Sequence, residues 1–266
     1  MEQNHIALTP LQQRLSQRAK SLLNHPQGMG NYFTFKSAID ILGLSWDAIV
    51  PGGVYNITGS DYFDMGYMAN HIGPPKSALD AFVGASLHEK FVVYPPDCLP
   101  ELKHLVADHK FGRKLGADFE VMGVEGAQGG IGYTYLSFLD PGDEVIVTDP
   151  GYFHFVPAAE ICGAHIVSIE LNQANGYRLS PREVEAAITP KTKAIIPVHF
   201  AGLACEMTPI LALAERHNLK VIEDAAHALP ATWNGELVGC LRTDATVFSF
   251  YATKPLATGE GGMIVT

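Results

Sequence analysis

One lysine stands out by its surroundings. Lys254 lies in FSFYATKPLATGEGG, a glycine-rich loop between two apolar runs, next to Pro255 and flanked by Thr253, Thr258, Gly259, Gly261 and Gly262. That setting belongs neither to a helix nor to a charged solvent face. A neutral amine held there would attack a carbonyl carbon and carry protons, so Lys254 is a candidate for covalent attachment to an aldehyde cofactor; the plainer alternative is an exposed loop lysine. Glu223 and Asp224 end the apolar run LKVIE, and Ser249 ends ATVFS. The turn Glu125-Gly126-Ala127-Gln128-Gly129-Gly130 opens a helix-like segment, where small residues let backbone N–H groups approach an anion and the helix dipole favours negative charge. Gly126, Ala127 and Gln128 on one side and Ser249 on the other would form a two-sided phosphate cup. For the glycines alone, tight packing explains as much. The turn is neither G-x-G-x-x-G nor a G-K-[ST] loop, which disfavours dinucleotides and nucleoside triphosphates.

These residues need a scaffold that brings them together. From Asp118 onward the sequence alternates strand and helix patterns, with FEVMGV, EVIVT, HIVSI, AIIPV, LKVIE, ATVFS and GMIVT as strands. The helices GGIGYTYLSFL, YFHFVPAAEIC, SPREVEAAI and TPILALAERHN separate the early ones, each long enough for a crossover between parallel neighbours, so the first five strands should be parallel. The glycine-rich connection through Lys254 is short, and the final strand is expected to run antiparallel. Asn234-Gly235 between apolar residues predicts a hairpin. Open parallel sheets bind ligands outside the carboxyl ends of their strands. On that rule the EGAQGG turn, Asp149 with Tyr152, His199, Asp224, Ser249 and Lys254 share one rim.

The wording VIEDAAHA, DATVFSFYATK and TGEGGMIVT, from about Ile195 to Thr266, resembles the fold-type I pyridoxal-phosphate (PLP) aminotransferases, specifically the DegT/StrS sugar-aminotransferase branch. The resemblance implies an α/β three-layer sandwich with a mostly parallel seven-stranded sheet. It also implies that Lys254 carries PLP and shuttles a proton, and that Asp224 faces the pyridine nitrogen. Such a charge pair at about 4 Å is worth on the order of 4 kcal/mol at an effective dielectric of 20. Tyr152 would stack on the ring, or simply begin a helix with its ring in the core. His227 would touch the phenolic oxygen or Asp224, or be structural; His199 is a weaker candidate of the same kind, and Glu260 is assigned no chemistry. Related sugar dehydratases carry histidine in place of the lysine, so Lys254 favours transamination.

The middle of the chain, including EGAQGG and DPGYFHF, resembles the class I/II amino-acid aminotransferases more closely. In that branch the tyrosine matching Tyr94 reaches the phosphate of a neighbouring subunit, and a homodimer is implied. Both branches continue into a C-terminal small domain, which this sequence is expected to lack. The expected organisation is an N-terminal arm over residues 1–73 and a large PLP-binding domain over residues 74–266. The leading reading is an aminotransferase passing an amino group from an amino acid to a nucleotide-linked keto-sugar. The alternatives are an amino-acid/keto-acid enzyme and a catalytically incomplete binding partner.

Composition agrees with a small-molecule protein. A chain of 266 residues with 47% hydrophobic content can bury a large core, and a net charge of -10 argues against nucleic-acid partners. The four cysteines, Cys98, Cys162, Cys205 and Cys240, lack metal-ligand spacing, so no metal is assigned. The polar start MEQNHIALTP is not a secretory signal, and no apolar run suits a membrane span, so a cytoplasmic protein is expected.

Overall fold

The computed structural model describes residues 74–87, 100–116 and 118–266. The arm over residues 1–73 and Tyr94 lie outside the described residues. Two helices come first, α1 (Lys76–Ser86), entered through Pro75, and α2 (Pro100–Phe111). The inner face of α2 is Ala107 and Phe111, whereas Leu102 and Leu105, which share the helical spacing, are exposed.

Beyond them a seven-stranded sheet forms from β1 (Val121–Val124), β2 (Glu144–Asp149), β3 (His165–Glu170), β4 (Thr192–Ile195), β5 (Lys220–Asp224), β8 (Ala245–Ser249) and β9 (Gly262–Val265). The short strands β6 (Thr232–Trp233) and β7 (Glu236–Leu237) make a separate hairpin. Its turn is Asn234-Gly235, with φ of 49° and 84°, a conformation that needs such residues. The sheet order is β1-β9-β8-β5-β4-β2-β3. β9 pairs antiparallel with both β1 and β8, while β8, β5, β4, β2 and β3 pair parallel. All strands of this sheet except β9 therefore point the same way, as the connection lengths predicted.

The central strands are apolar on both faces because helices cover both. Alternation sends Val145, Val147, Ala194, Ile222, Val247 and Ile264 to one side. There α3 (Ala127–Phe138) and α4 (Phe155–Cys162) pack through Ile131, Tyr135 and Phe155. Ile146, Ile195 and Val221 face α5 (Pro181–Ala187) and α6 (Met207–His217) on the other side, where Phe248, Met263 and Val265 meet α2. The result is the expected three-layer sandwich. α3 is rich in poor helix formers, and its packing shows why: a Cβ on Gly130 would come within 2.6 Å of Val247 Cγ1. The glycine lets the helix lie flush on β8, which sets the position of its N-terminus.

Candidate functional site

Asp224 ends β5 and is buried. One carboxylate oxygen, Oδ1, accepts the Ala226 N–H at 3.0 Å, so the residue does cap the turn that follows. Oδ2 takes no hydrogen bond from the described residues. Burial pushes the Asp224 pKa above its ordinary value, against the pull of the Ala226 N–H, His227, His199 and Lys254.

Lys254 sits in a loop closed by backbone bonds from Phe250 N to Gly261 O (2.7 Å) and from Thr258 N to Phe250 O (2.9 Å). Its own N–H donates to Tyr251 O at 2.9 Å, which ends a tight turn. The side chain is half-buried, and this burial lowers its pKa while the Asp224 carboxylate opposes the shift. Among the described residues the amine makes no ion pair, although amine and carboxylate each feel the other's field. The sheet thus brings Lys254 and Asp224 to one rim without joining them.

His227 belongs to the same group. Burial and the Lys254 amine lower its pKa, and Asp224 raises it. Its Nδ1 accepts the Ala201 N–H at 3.2 Å, which leaves the proton of the neutral ring on Nε2. Gly126 precedes α3 with φ 153°, and no side chain caps the helix. Gly262 approaches that turn so closely that a Cβ there would lie 2.8 Å from Gly126 C and 2.9 Å from Ala127 N. Gly126 and Gly261 also form a β-bridge, so the lysine loop and the N-terminus of α3 touch through bare backbone. Ser249, nearly buried, lies in register with Gly262 across the β8 and β9 pair and accepts the Tyr251 N–H at 3.3 Å. Ser249, the lysine loop and the backbone of Gly126 and Ala127 therefore lie side by side. The sequence did not foretell the part played by Gly262, although a glycine opening a strand signals such close backbone approach.

Tyr152 is 37% exposed and heads an aromatic cluster, with Phe153, His154 and Phe155 ring centroids 5.0, 5.2 and 5.7 Å away. It is not a core residue. His199 corrects the expectation of a common rim. It is fully buried, with Nε2 2.8 Å from Glu223 Oε2 and Nδ1 accepting the Cys205 N–H at 3.0 Å. The physical reason is strand alternation, since Glu223 points to the sheet face opposite Asp224 and draws the imidazole with it. Burial opposes a charge on that ring, and the Glu223 carboxylate beside it favours one. The hydrogen bonds decide for the neutral ring: a proton on Nδ1 would meet the Cys205 N–H, while the Cys205 Sγ donates to Val198 O at 3.0 Å. We assign the neutral Nε2–H form to this arrangement. Among the described residues no cluster of side chains suits a metal ion, and no helix is long and apolar enough to cross a membrane.

A doubly covered, mostly parallel sheet, with a lysine loop and an uncapped glycine turn meeting at its strand ends, defines an α/β protein of the fold-type I architecture. The chain belongs to the DegT/DnrJ/EryC1/StrS aminotransferase family, which it matches over residues 110–266. It is 47% identical over 128 residues to the spore coat polysaccharide biosynthesis protein SpsC of Bacillus subtilis, covering 48% of this chain and 32% of that one. To the GDP-perosamine synthase of Caulobacter vibrioides it is 48% identical over 128 residues, 48% of this chain and 34% of the other. The structure of S. venezuelae DesV superposes with a TM-score of 0.62 at 32% identity, over 72% of this chain and 50% of that one. The PLP form of the putative sugar aminotransferase Spr1654 from Streptococcus pneumoniae gives 0.61 at 26% identity, with the same coverage. The chain thus spans about a third of these curated relatives and half of these solved structures.

Proposed function

We propose that this chain provides the cofactor rim of a PLP-dependent aminotransferase that moves an amino group from an amino-acid donor to a nucleotide-linked keto-sugar. The observation that carries this reading is the meeting of Lys254, Asp224 and the bare N-terminus of α3 at one edge of the sheet. The residues fit the cofactor. At Gly262 the cradle has no room for a Cβ, and the N–H groups of Ala127 and Gln128, with the Ser249 hydroxyl, would hold its phosphate. Asp224 Oδ2 would face the ring nitrogen, the Tyr152 ring the cofactor ring, and the His227 Nε2–H the phenolic oxygen. When bound, PLP supplies an electron sink for the bond broken at the amino-bearing carbon of the substrate.

Lys254 has two tasks on this reading: to hold the cofactor covalently, and then to move a proton to and from the substrate carbon. Both need the neutral amine, and burial lowers its pKa in that direction. Asp224 does the opposite work. It keeps a negative charge against the ring nitrogen, at a cost set by its burial. The keto-sugar acceptor is supported by family membership and by relatives such as the GDP-perosamine synthase. We further propose a homodimer in which Tyr94 reaches the phosphate of a second copy, a large domain over residues 74–266 with an arm before it, a cytoplasmic setting, and no nucleic-acid partner.

Titration of the purified chain with PLP tests the reading. A visible absorption band should develop, borohydride should fix the cofactor to the chain, and Lys254→Ala should abolish both. Glutamate or glutamine should then convert the cofactor to its amine form, and a nucleotide keto-sugar should reverse the conversion faster than simple keto acids. A band that survives in Lys254→Ala would sink the assignment.

A further inference from the structure

A buried charged cluster behind the rim is left unused by the chemistry above. Glu223 and His199 are both fully buried. Three donors converge on the Glu223 carboxylate: the Thr243 hydroxyl (2.7 Å) and Thr246 hydroxyl (2.6 Å) on Oε1, and the His199 Nε2–H on Oε2 (2.8 Å). Only an acceptor-only group satisfies all three, so a carboxylate is required where an amide would oppose an N–H to a donor. The imidazole closes the network by accepting the Cys205 N–H on Nδ1.

His199, together with Pro197, also grips the main chain of Asp224. Its N–H donates to Pro197 O at 2.9 Å, and its carbonyl accepts the His199 N–H at 3.0 Å, with Val198 bridged to it between them. We propose that His199 and Glu223 form a positioning pair, which locks residues 197–199 along the main chain of Asp224 and so aims its carboxylate at the rim from the far side of the sheet. The loop held in this way also carries Ala201, whose N–H sets the tautomer of His227. The pair therefore reaches two groups of the site while touching neither cofactor nor substrate. That Asp224 serves a bound ring rests on the function proposed above; the positioning does not.

Two variants separate the contacts of the imidazole. In His199→Asn the side-chain oxygen replaces Nδ1 for the Cys205 N–H, but the donor to Glu223 is lost. In His199→Gln an amide N–H replaces Nε2 and keeps that donor. Amide hydrogen exchange on the full chain without cofactor should show residues 199 and 224 exchanging about tenfold faster in His199→Asn, with Ile146 and Ile166 unchanged. The PLP dissociation constant should rise about tenfold, and His199→Gln should stay within about twofold of wild type on both measures. Unchanged exchange at residue 224, an equal rise throughout the sheet, or equal damage in the two variants would overturn the proposal. Should His199→Asn fail to fold, Thr243→Val removes one donor from Glu223 and should give the same local pattern more weakly; a flat response there counts against the pair. If the wild-type chain takes up no PLP, the proposed function falls, and the exchange data still decide the positioning.

Discussion

Asp224 and Lys254 are each held against their own charge. Burial raises the Asp224 pKa above the value of about 3.8 that it would have unfolded. Its contribution to stability is therefore complete below that value and is lost as pH rises through the folded pKa. Asp224→Asn keeps the acceptor for the Ala226 N–H and removes the buried charge. Without cofactor this variant should melt a few degrees higher than wild type at pH 7, a margin that closes toward pH 4 in calorimetry. The same variant should lose on the order of a thousandfold in the rate of conversion by glutamate, the equivalent of about 4 kcal/mol at the ring nitrogen. For Lys254 the sign is reversed. Its folded pKa lies below 10.5, so the stability it contributes is present above that value and is lost as pH falls through the folded pKa. Lys254→Ala should therefore fold at neutral pH with an undiminished melting temperature while losing covalent PLP, and circular dichroism beside borohydride trapping checks both. The types of these two residues and their places after strands were readable from the sequence. Their mutual field was not, because it depends on strands β5 and β8 being neighbours.

At the scale of elements, the phosphate cradle depends on how closely α3, β8 and β9 approach. A Cβ at residue 262 would meet Phe248 O at 2.6 Å as well as the backbone of Gly126 and Ala127. None of these atoms can swing aside, so Gly262→Ala must push the lysine loop away from the α3 N-terminus. We expect this variant to weaken PLP binding by about tenfold or more while leaving the affinity for unphosphorylated pyridoxal nearly unchanged, as equilibrium titration with both ligands would show. Gly130→Ala acts one turn later, where the new methyl meets the Val247 side chain, and should cost about 1–3 kcal/mol in denaturant unfolding. The alternation of strand and helix patterns made the layers legible, and the short glycine-rich link before GMIVT made the reversed strand legible. What escaped was which side of a strand end each polar residue takes. His199 follows a strand as Asp224 does, yet its ring turns inward because Glu223 waits on that face with two threonine hydroxyls already attached. The outer face of α2 escaped for a similar reason: Leu102 and Leu105 have the spacing of a core stripe, but Ala107 and Phe111 are the residues that reach β1 and β8.

For the whole molecule, the parallel strands with helices on both faces place Lys254, Asp224, Ser249 and the N-terminus of α3 at one end of the sheet and leave the opposite end clear of them. The cavities there and along the flank, one lined by Thr192, Lys193 and His217 and another between α5 and α6 around Arg182 and Arg216, lie away from Lys254 and Asp224. Substituting Lys193 should leave PLP affinity unchanged within about twofold, which the same titration can verify. The sheet order has a further consequence for how the protein is made. β9 lies between β1 and β8 and, among the described residues, is the strand that pairs with β1, although β1 precedes it by most of the described sequence. On the ribosome, the edge of β1 that β9 covers must wait bare until residues 262–265 have been translated. A nascent chain stalled before that point should be cut by protease near Val121–Val124 and should recruit chaperones, and release of the last strand should abolish both.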